Sequence, residues 1–191
     1  MKNKIELTKK NDLKILRDEK LNMNAEDVIE LILRDHIPLK KLIETLKDGE
    51  IERSQKEGPL EQFVPLLVSH AKAEEKSLYV EMKKIKDLRV ESFEGDTEHA
   101  IAENLIHEIN ATADDDKWNA KVKVLAELVE HHIEEEEEEM LKKVQSHMDL
   151  PTRKAAGAIY TELKTEFDML YRARYNNAHF TSGRRNIDLL N

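Results

Sequence analysis

The sequence predicts an all-α fold, an up-down-up-down four-helix bundle with an N-terminal arm before it and an extra C-terminal helix after it. Three observations carry this prediction. Charged residues make up 37 % of the 191-residue chain while Gly numbers only 5 and Pro only 4, a balance that suits helices better than sheets. Apolar residues recur at intervals of three and four through successive stretches, which is the period of one helix face. The unit H-x-x-x-E-E also occurs twice, at His70 to Glu75 and at His132 to Glu137, each time with an apolar pair eight and nine positions after the histidine. The chain therefore reads as two similar helical hairpins.

Residues 1–22 are rich in Lys and Asn with scattered apolar positions, and are expected to form an arm or a short helix. The first bundle helix is predicted to start at Asn24 as N-cap. Its stripe is Val28, Ile32, His36, Leu39, Ile43 and Leu46, with Pro38 set to kink it near the histidine. Asp48-Gly49 closes it. The second helix is predicted from Pro59 to about Lys86, with Phe63, Leu67, His70, Glu74, Leu78, Glu81 or Met82, and Ile85 on one face. Asp87 to Gly95 reads as a break, and Asp96 with Thr97 as the cap of a third helix carrying His99, Ala102, Ile106 and Ile109. After a turn at Asn110 to Asp116, a fourth helix runs through Trp118, Val122, Leu125, Val129, His132, Glu136 and Met140. A fifth helix, Ala155 to Tyr171, shows Ile159, Leu163, Phe167 and Leu170. The expected domain plan is an arm at 1–22, a metal-binding bundle at 23–150, a helix packing on it at 151–175 and a flexible tail at 176–191.

The composition excludes several function classes. A net charge of -9 makes nucleic acid and anionic membranes poor partners. The lack of cysteine removes disulfides, thiolate metal sites and thiol nucleophiles. No apolar run is long enough to span a membrane and no signal peptide is apparent, so a soluble cytoplasmic protein is expected, as monomer or homodimer.

Within each hairpin the second helix places a histidine and a glutamate one turn apart where apolar side chains are due. The first helices match as well: Asp35-His36 lines up with Glu98-His99, sixty-three residues on. Packed about a pseudo-twofold axis, the hairpins would bring His36, His70, Glu74, His99, His132 and Glu136 to one point in the bundle core. Leaving these groups buried and unpaired would cost several kcal/mol, and a metal pair removes that cost. Two imidazoles per metal, two bridging carboxylates and a bridging oxide or hydroxide give five ligands each, with one position open for a small molecule. Nitrogen and oxygen donors without sulfur suit iron or manganese, with zinc and copper open on ligand type. Iron is the choice that suits a buried, open pair in an apolar bundle.

The doubled motif, above all Glu130-His131-His132-Ile133-Glu134-Glu135-Glu136-Glu137, resembles the hemerythrin-like family that carries the HHE cation-binding domain, over roughly residues 25–144. The resemblance implies a four-helix bundle around a non-haem di-iron centre, oxo- or hydroxo-bridged, with its ligands at the six residues just named. Oxygen carriers of the family have a second third-helix histidine where this chain has Glu103. They also have a fourth-helix aspartate five residues after the histidine, where Glu136 here stands four after His132. The chain is in these respects similar to the bacterial hemerythrin-like branch, which implies binding or reacting with dioxygen, nitric oxide or peroxide in sensing, scavenging or iron handling. Glu103 stays open as a further ligand, a hydrogen-bond acceptor for an imidazole, or a solvent-facing charge. Tyr79 is either a neighbour of the site or a bundle-end tyrosine, Glu135 and Glu137 are fallback ligands, and His107, His131, His147 and His179 read as surface residues. Two other functions are open: a di-iron enzyme with true turnover, such as peroxide decomposition or nitric oxide reduction, and a metal-free acidic interaction module.

Overall fold

A computed structural model describes the backbone of residues 24–181 and the side chains of residues 24–170. The arm expected at 1–22 and the last ten residues of the expected tail lie outside the described residues. The described elements are helices, with no strand among them. Helix α1 spans Val28–Lys47, α2 Arg53–Lys76, the short α3 Leu78–Met82, α4 Arg89–Asn110, α5 Asp115–Glu135, α6 Leu141–His147 and α7 Leu150–Thr181. A single 3-10 turn, Lys86–Leu88, precedes α4.

Helix α1 packs on α2 and α5, and α4 packs on α5 and α2, so α1 and α4 are diagonal in the bundle. The extra helix α7 lies against α1, α2 and α3. The predicted α1 stripe, Val28, Ile32, His36, Leu39, Ile43 and Leu46, is buried throughout. The predicted α5 stripe, from Trp118 through Val122, Leu125, Val129, His132 and Glu136 to Met140, is buried as well.

Several expected boundaries are corrected. Asp27, not Asn24, caps α1, its carboxylate accepting from the Ile29 N–H at 3.1 Å. Helix α2 begins at Arg53 and carries Pro59 and Pro65 inside it. It stops at Lys76, where Ser77 leaves helical geometry and its hydroxyl donates back to the Ala73 carbonyl at 2.6 Å. The break restarts the helix at Leu78, with Leu78, Tyr79 and Met82 buried. Helix α4 starts at Arg89, earlier than expected, and runs through Gly95. That glycine is a notch rather than a breaker: a Cβ there would sit 2.2 Å from the Tyr79 hydroxyl. The fifth helix bears out its predicted stripe only in part. Leu163 and Phe167 are half-buried, with Leu163 packed on the core, but Ile159 and Leu170 are exposed and the fully buried positions are Ala156, Gly157 and Tyr160. Arg153 locks this helix to α1, donating at 2.8 Å to the second oxygen of the capping Asp27.

The interior is two apolar cores with a polar layer between them. One core holds Leu39, Ile43, Leu67, Ala102, Ile106, Val129 and Ile133, and the other Val28, Ile32, Leu78, Tyr79, Met140, Val144 and Tyr160. On α1, His36 lies between Ile32 and Leu39, and on α2, His70 and Glu74 lie between Leu67 and Leu78. On α5, His132 follows Val129, and in the turn just after it Glu136 precedes Met140.

Two of the helical glycines, Gly157 and Gly58, give opposite expectations for one substitution. A Cβ at Gly157 would meet the Glu26 carbonyl at 2.2 Å, whereas nothing lies within 4 Å of one at Gly58. Gly157→Ala should cost about 1–3 kcal/mol through overpacking. Gly58→Ala should add about 0.5–1 kcal/mol through reduced backbone freedom in the unfolded chain. Urea denaturation of the two variants checks both signs.

Candidate metal centre

The polar layer gathers six side chains, each 5 % exposed or less: His36, His70, Glu74, His99, His132 and Glu136. They fall into two groups whose potential ligand atoms lie within 4.8 Å of one another, His36, His70 and Glu136 in one and Glu74, His99 and His132 in the other. Each glutamate spans both groups. Glu136 places Oε2 3.1 Å from His36 Nε2 and Oε1 3.5 Å from His132 Nε2. Glu74 Oε2 lies 3.6 Å from His70 Nε2 and 3.8 Å from His99 Nε2. The Nε2 atoms of His99 and His132 approach to 3.0 Å.

The outer nitrogens explain this convergence. His132 Nδ1 meets Glu98 Oε2 at 2.6 Å, His36 Nδ1 meets Glu137 Oε1 at 2.9 Å, and His99 Nδ1 faces Glu75 Oε1 at 3.3 Å. His70 Nδ1 meets the Tyr160 hydroxyl at 2.9 Å, and that hydroxyl donates to Asp35 Oδ2 at 2.5 Å. A carboxylate only accepts, and the Tyr160 proton is committed to Asp35, so His36, His70 and His132 each carry a proton on Nδ1, while the Nδ1 of His99 faces Glu75 without an aligned hydrogen bond. Four Nε2 atoms and two carboxylates thus face one small volume, with one proton shared between the paired Nε2 atoms of His99 and His132. Among the described residues, the buried side-chain atoms without a hydrogen-bond partner are His36 Nε2, His70 Nε2, both Glu74 oxygens, His99 Nδ1, Glu136 Oε2 and, outside the cluster, Asn119 Oδ1. The 3.1 Å approach of His36 to Glu136 is close but not aligned as a hydrogen bond. Unpartnered groups are rare in a folded core, and here almost all sit in one layer. The donor set fits cations.

The titration pattern agrees. Burial and the nearby Glu136 carboxylate push the Glu74 carboxyl well above the usual range. Burial opposes ionisation of Glu136 too, but attraction to His132 and the contact with His36 hold it low. Without added positive charge the centre keeps a proton on one carboxyl. Burial drives His70 down to about 4.

The local backbone is built for this arrangement. Glu136–Met140 forms a π-helical turn, in which the Leu141 N–H bonds the Glu136 carbonyl five residues back. The added residue keeps Glu136 inward, turns Glu137 toward His36, and brings Met140, Leu141 and Val144 into the core. Tyr79 stacks on His99, ring centroids 5.7 Å apart, and donates to Glu136 Oε1 at 3.1 Å. It is therefore a neighbour of the centre. Glu103 stands apart from both groups, its carboxylate held by Lys72 at 2.9 Å. Glu137 is an anchor of His36 with Lys40 on its other oxygen, and Glu135 faces His131 at the surface. His131 and His147 are exposed.

Two openings reach the layer. A cleft of about 320 Å³ beside His132 and Glu136 has acidic walls that include Glu91, Glu94, Glu98 and Glu139. An apolar cavity of about 20 Å³, between Leu67, Ala71, Ala102 and Ile106, touches His99.

Five anchors were not assigned from sequence: Asp35, Glu75, Glu98, Glu137 and Tyr160. Four of them flank an inward residue directly, in Asp35-His36, Glu74-Glu75, Glu98-His99 and Glu136-Glu137. That adjacency was a usable signal. Tyr160 had none.

A family model described as hemerythrin HHE cation binding domain matches residues 27–144, more than half of the chain. No curated protein and no solved structure matches the chain significantly. Among the described residues, no helix is long and apolar enough to cross a membrane.

In the metal-free protein His70 should make stability depend on pH. Its folded value of about 4 lies below the unfolded value near 6.5, so protonation favours the unfolded chain. The loss is absent above pH 6.5, grows as pH falls, and is complete below about 4, reaching about 3 kcal/mol. The depressed Glu136 adds its own loss only at lower pH. Urea denaturation of chelator-treated protein at fixed pH values should show the slope, and His70→Gln should flatten it between pH 6.5 and 4.

Proposed function

This chain belongs to the hemerythrin HHE cation-binding domain family, and we propose that it is a non-haem di-iron protein that binds or reacts with dioxygen, nitric oxide or peroxide. The observation that carries this reading is the set of inward atoms without partners: His36 Nε2, His70 Nε2, both oxygens of Glu74 and Oε2 of Glu136. His36 and His70 would hold one ion, and His99 and His132 the other. Glu74 and Glu136, each within reach of an imidazole from both groups, would bridge them. Glu103, tied to Lys72, is left out of the ligand set. Nitrogen and oxygen donors in a chain without cysteine favour iron or manganese, with zinc as the redox-silent alternative. A pair of irons held by these residues would supply Lewis-acid binding of, and electron transfer toward, a small molecule.

The chain's own residues shape what can arrive. The apolar cavity beside His99 has room on the scale of one small molecule and favours an uncharged one. The acidic cleft beside Glu136 disfavours anions. Tyr79, kept protonated by burial and by the carboxylates of Glu74 and Glu136, holds a phenolic proton at Glu136 Oε1. Its stacking on His99 keeps water from that side. The domain plan that goes with this reading is a bundle at 23–150 carrying the centre and a helix at 151–175 packed on it.

Protein expressed with iron should carry about two irons per chain and show near-ultraviolet ligand-to-iron charge-transfer bands that respond to dioxygen, nitric oxide or peroxide. His70→Ala and Glu74→Ala should lose iron while keeping helical circular dichroism. Iron-supplemented protein that contains no metal would sink the reading. A single stoichiometric reaction with the small molecule marks a binder or sensor, and steady-state consumption marks an enzyme.

A further inference from the structure

The four imidazoles are anchored by two repeated devices, and one of the four anchors departs from the pattern. The second glutamate of each H-x-x-x-E-E unit crosses to the other hairpin: Glu137 reaches His36, and Glu75 faces His99. The acid before each single histidine serves the second helix of its own hairpin. Glu98 does this directly, meeting His132 Nδ1 at 2.6 Å. Its counterpart Asp35 is one methylene shorter and stops 3.8 Å from His70 Nδ1. Tyr160 fills that gap, with its hydroxyl 2.9 Å from His70 Nδ1 and 2.5 Å from Asp35 Oδ2, while Lys164 donates to the same Asp35 oxygen at 2.6 Å.

Tyr160 and Lys164 both belong to α7, beyond residues 27–144 that match the family model. Tyr160 is only 1 % exposed, so the phenol is a fixed part of the layer. We propose that Tyr160 is a positioning residue for the metal centre, through which the C-terminal helix controls the His36–His70–Glu136 position and makes it inequivalent to the Glu74–His99–His132 position. The inference rests on the di-iron reading above. A phenol oxygen backed by the Asp35–Lys164 pair accepts less strongly than a carboxylate, so His70 is a weaker donor to its metal than His132 is. The His70 ligand accordingly sets its position apart from the one that contains His132.

Anaerobic ferrous titration with Mössbauer spectra of the full chain tests this. Wild type should bind two equivalents and give two distinct doublets. Tyr160→Phe keeps the ring but removes the hydroxyl. It should weaken one equivalent about 10- to 100-fold, the range expected when the hydrogen-bond partner of a ligating histidine is lost, and alter one doublet while leaving the other. Adding Asp35→Glu to Tyr160→Phe lengthens the acid to match Glu98 and should restore the lost equivalent. Leu163→Ala, half-buried on the same helix, should lower thermal stability without separating the two equivalents. Wild-type protein that binds no iron overturns the di-iron reading and this inference together. Wild type with two equivalents and a Tyr160→Phe variant indistinguishable from it overturns this inference alone. Equal weakening of both equivalents in Tyr160→Phe, matched by Leu163→Ala, makes Tyr160 a packing residue and also overturns it.

Discussion

The structure depends on a layer of inward-pointing lone pairs held between two apolar cores. Four Nε2 atoms and two carboxylates share a volume from which water is largely excluded, and this arrangement is costly unless positive charge enters it. The apolar cores on either side supply the burial energy that lets the bundle close on such a layer. They also fix its geometry, because each inward side chain is one turn from residues packed at near-crystalline density. The layer is thus formed by the packing of the cores around it, which lowers the reorganisation that binding an ion would require.

Rigidity comes equally from the surrounding anchors. Glu137 and Glu75 cross between hairpins, so the hydrogen bond that orients His36 and the 3.3 Å charge contact at His99 also tie the two halves of the bundle together. Lys40 and Lys72 hold the outer sides of those carboxylates. These lysine pairs are partly exposed and contribute little to stability by themselves. Their effect is positional: they keep the anchoring carboxylates ionised and in place, and so keep the Nδ1 protons where the inward lone pairs require them.

Much of this was legible in the sequence because it is periodic. His36, His70, Glu74, His99, His132 and Glu136 fell on apolar stripes, and the sixty-two-residue repeat brought them into pairs. The fold class followed from the same stripes. What was not legible depends on contacts between distant segments. Pro59 read as a helix start, yet α2 carries it, and Pro65 after it, in its interior. Gly95 read as a breaker, yet it is needed where Tyr79 crosses α4. The π turn at Glu136 leaves no mark in a run of six glutamates, since every register of that run looks alike. The fifth helix misled in another way. Of its predicted apolar stripe, Leu163 and Phe167 are half-buried but Ile159 and Leu170 face outward, and its most buried face is made of Ala156, Gly157 and Tyr160.

That last discrepancy has a physical reason. A helix that packs on a finished bundle at close range needs small residues at the crossing, as Gly157 against the Glu26 carbonyl shows. It therefore lacks the large apolar stripe by which core helices are recognised. In place of that stripe stand polar contacts at fixed points: Arg153 to Asp27, Tyr160 to His70 and Asp35, and Lys164 to Asp35. Such contacts discriminate between registers more sharply than apolar packing does, because a shift of one turn would leave Arg153 and Asp35 without partners. The helix is held in the single register in which the Tyr160 hydroxyl reaches the polar layer.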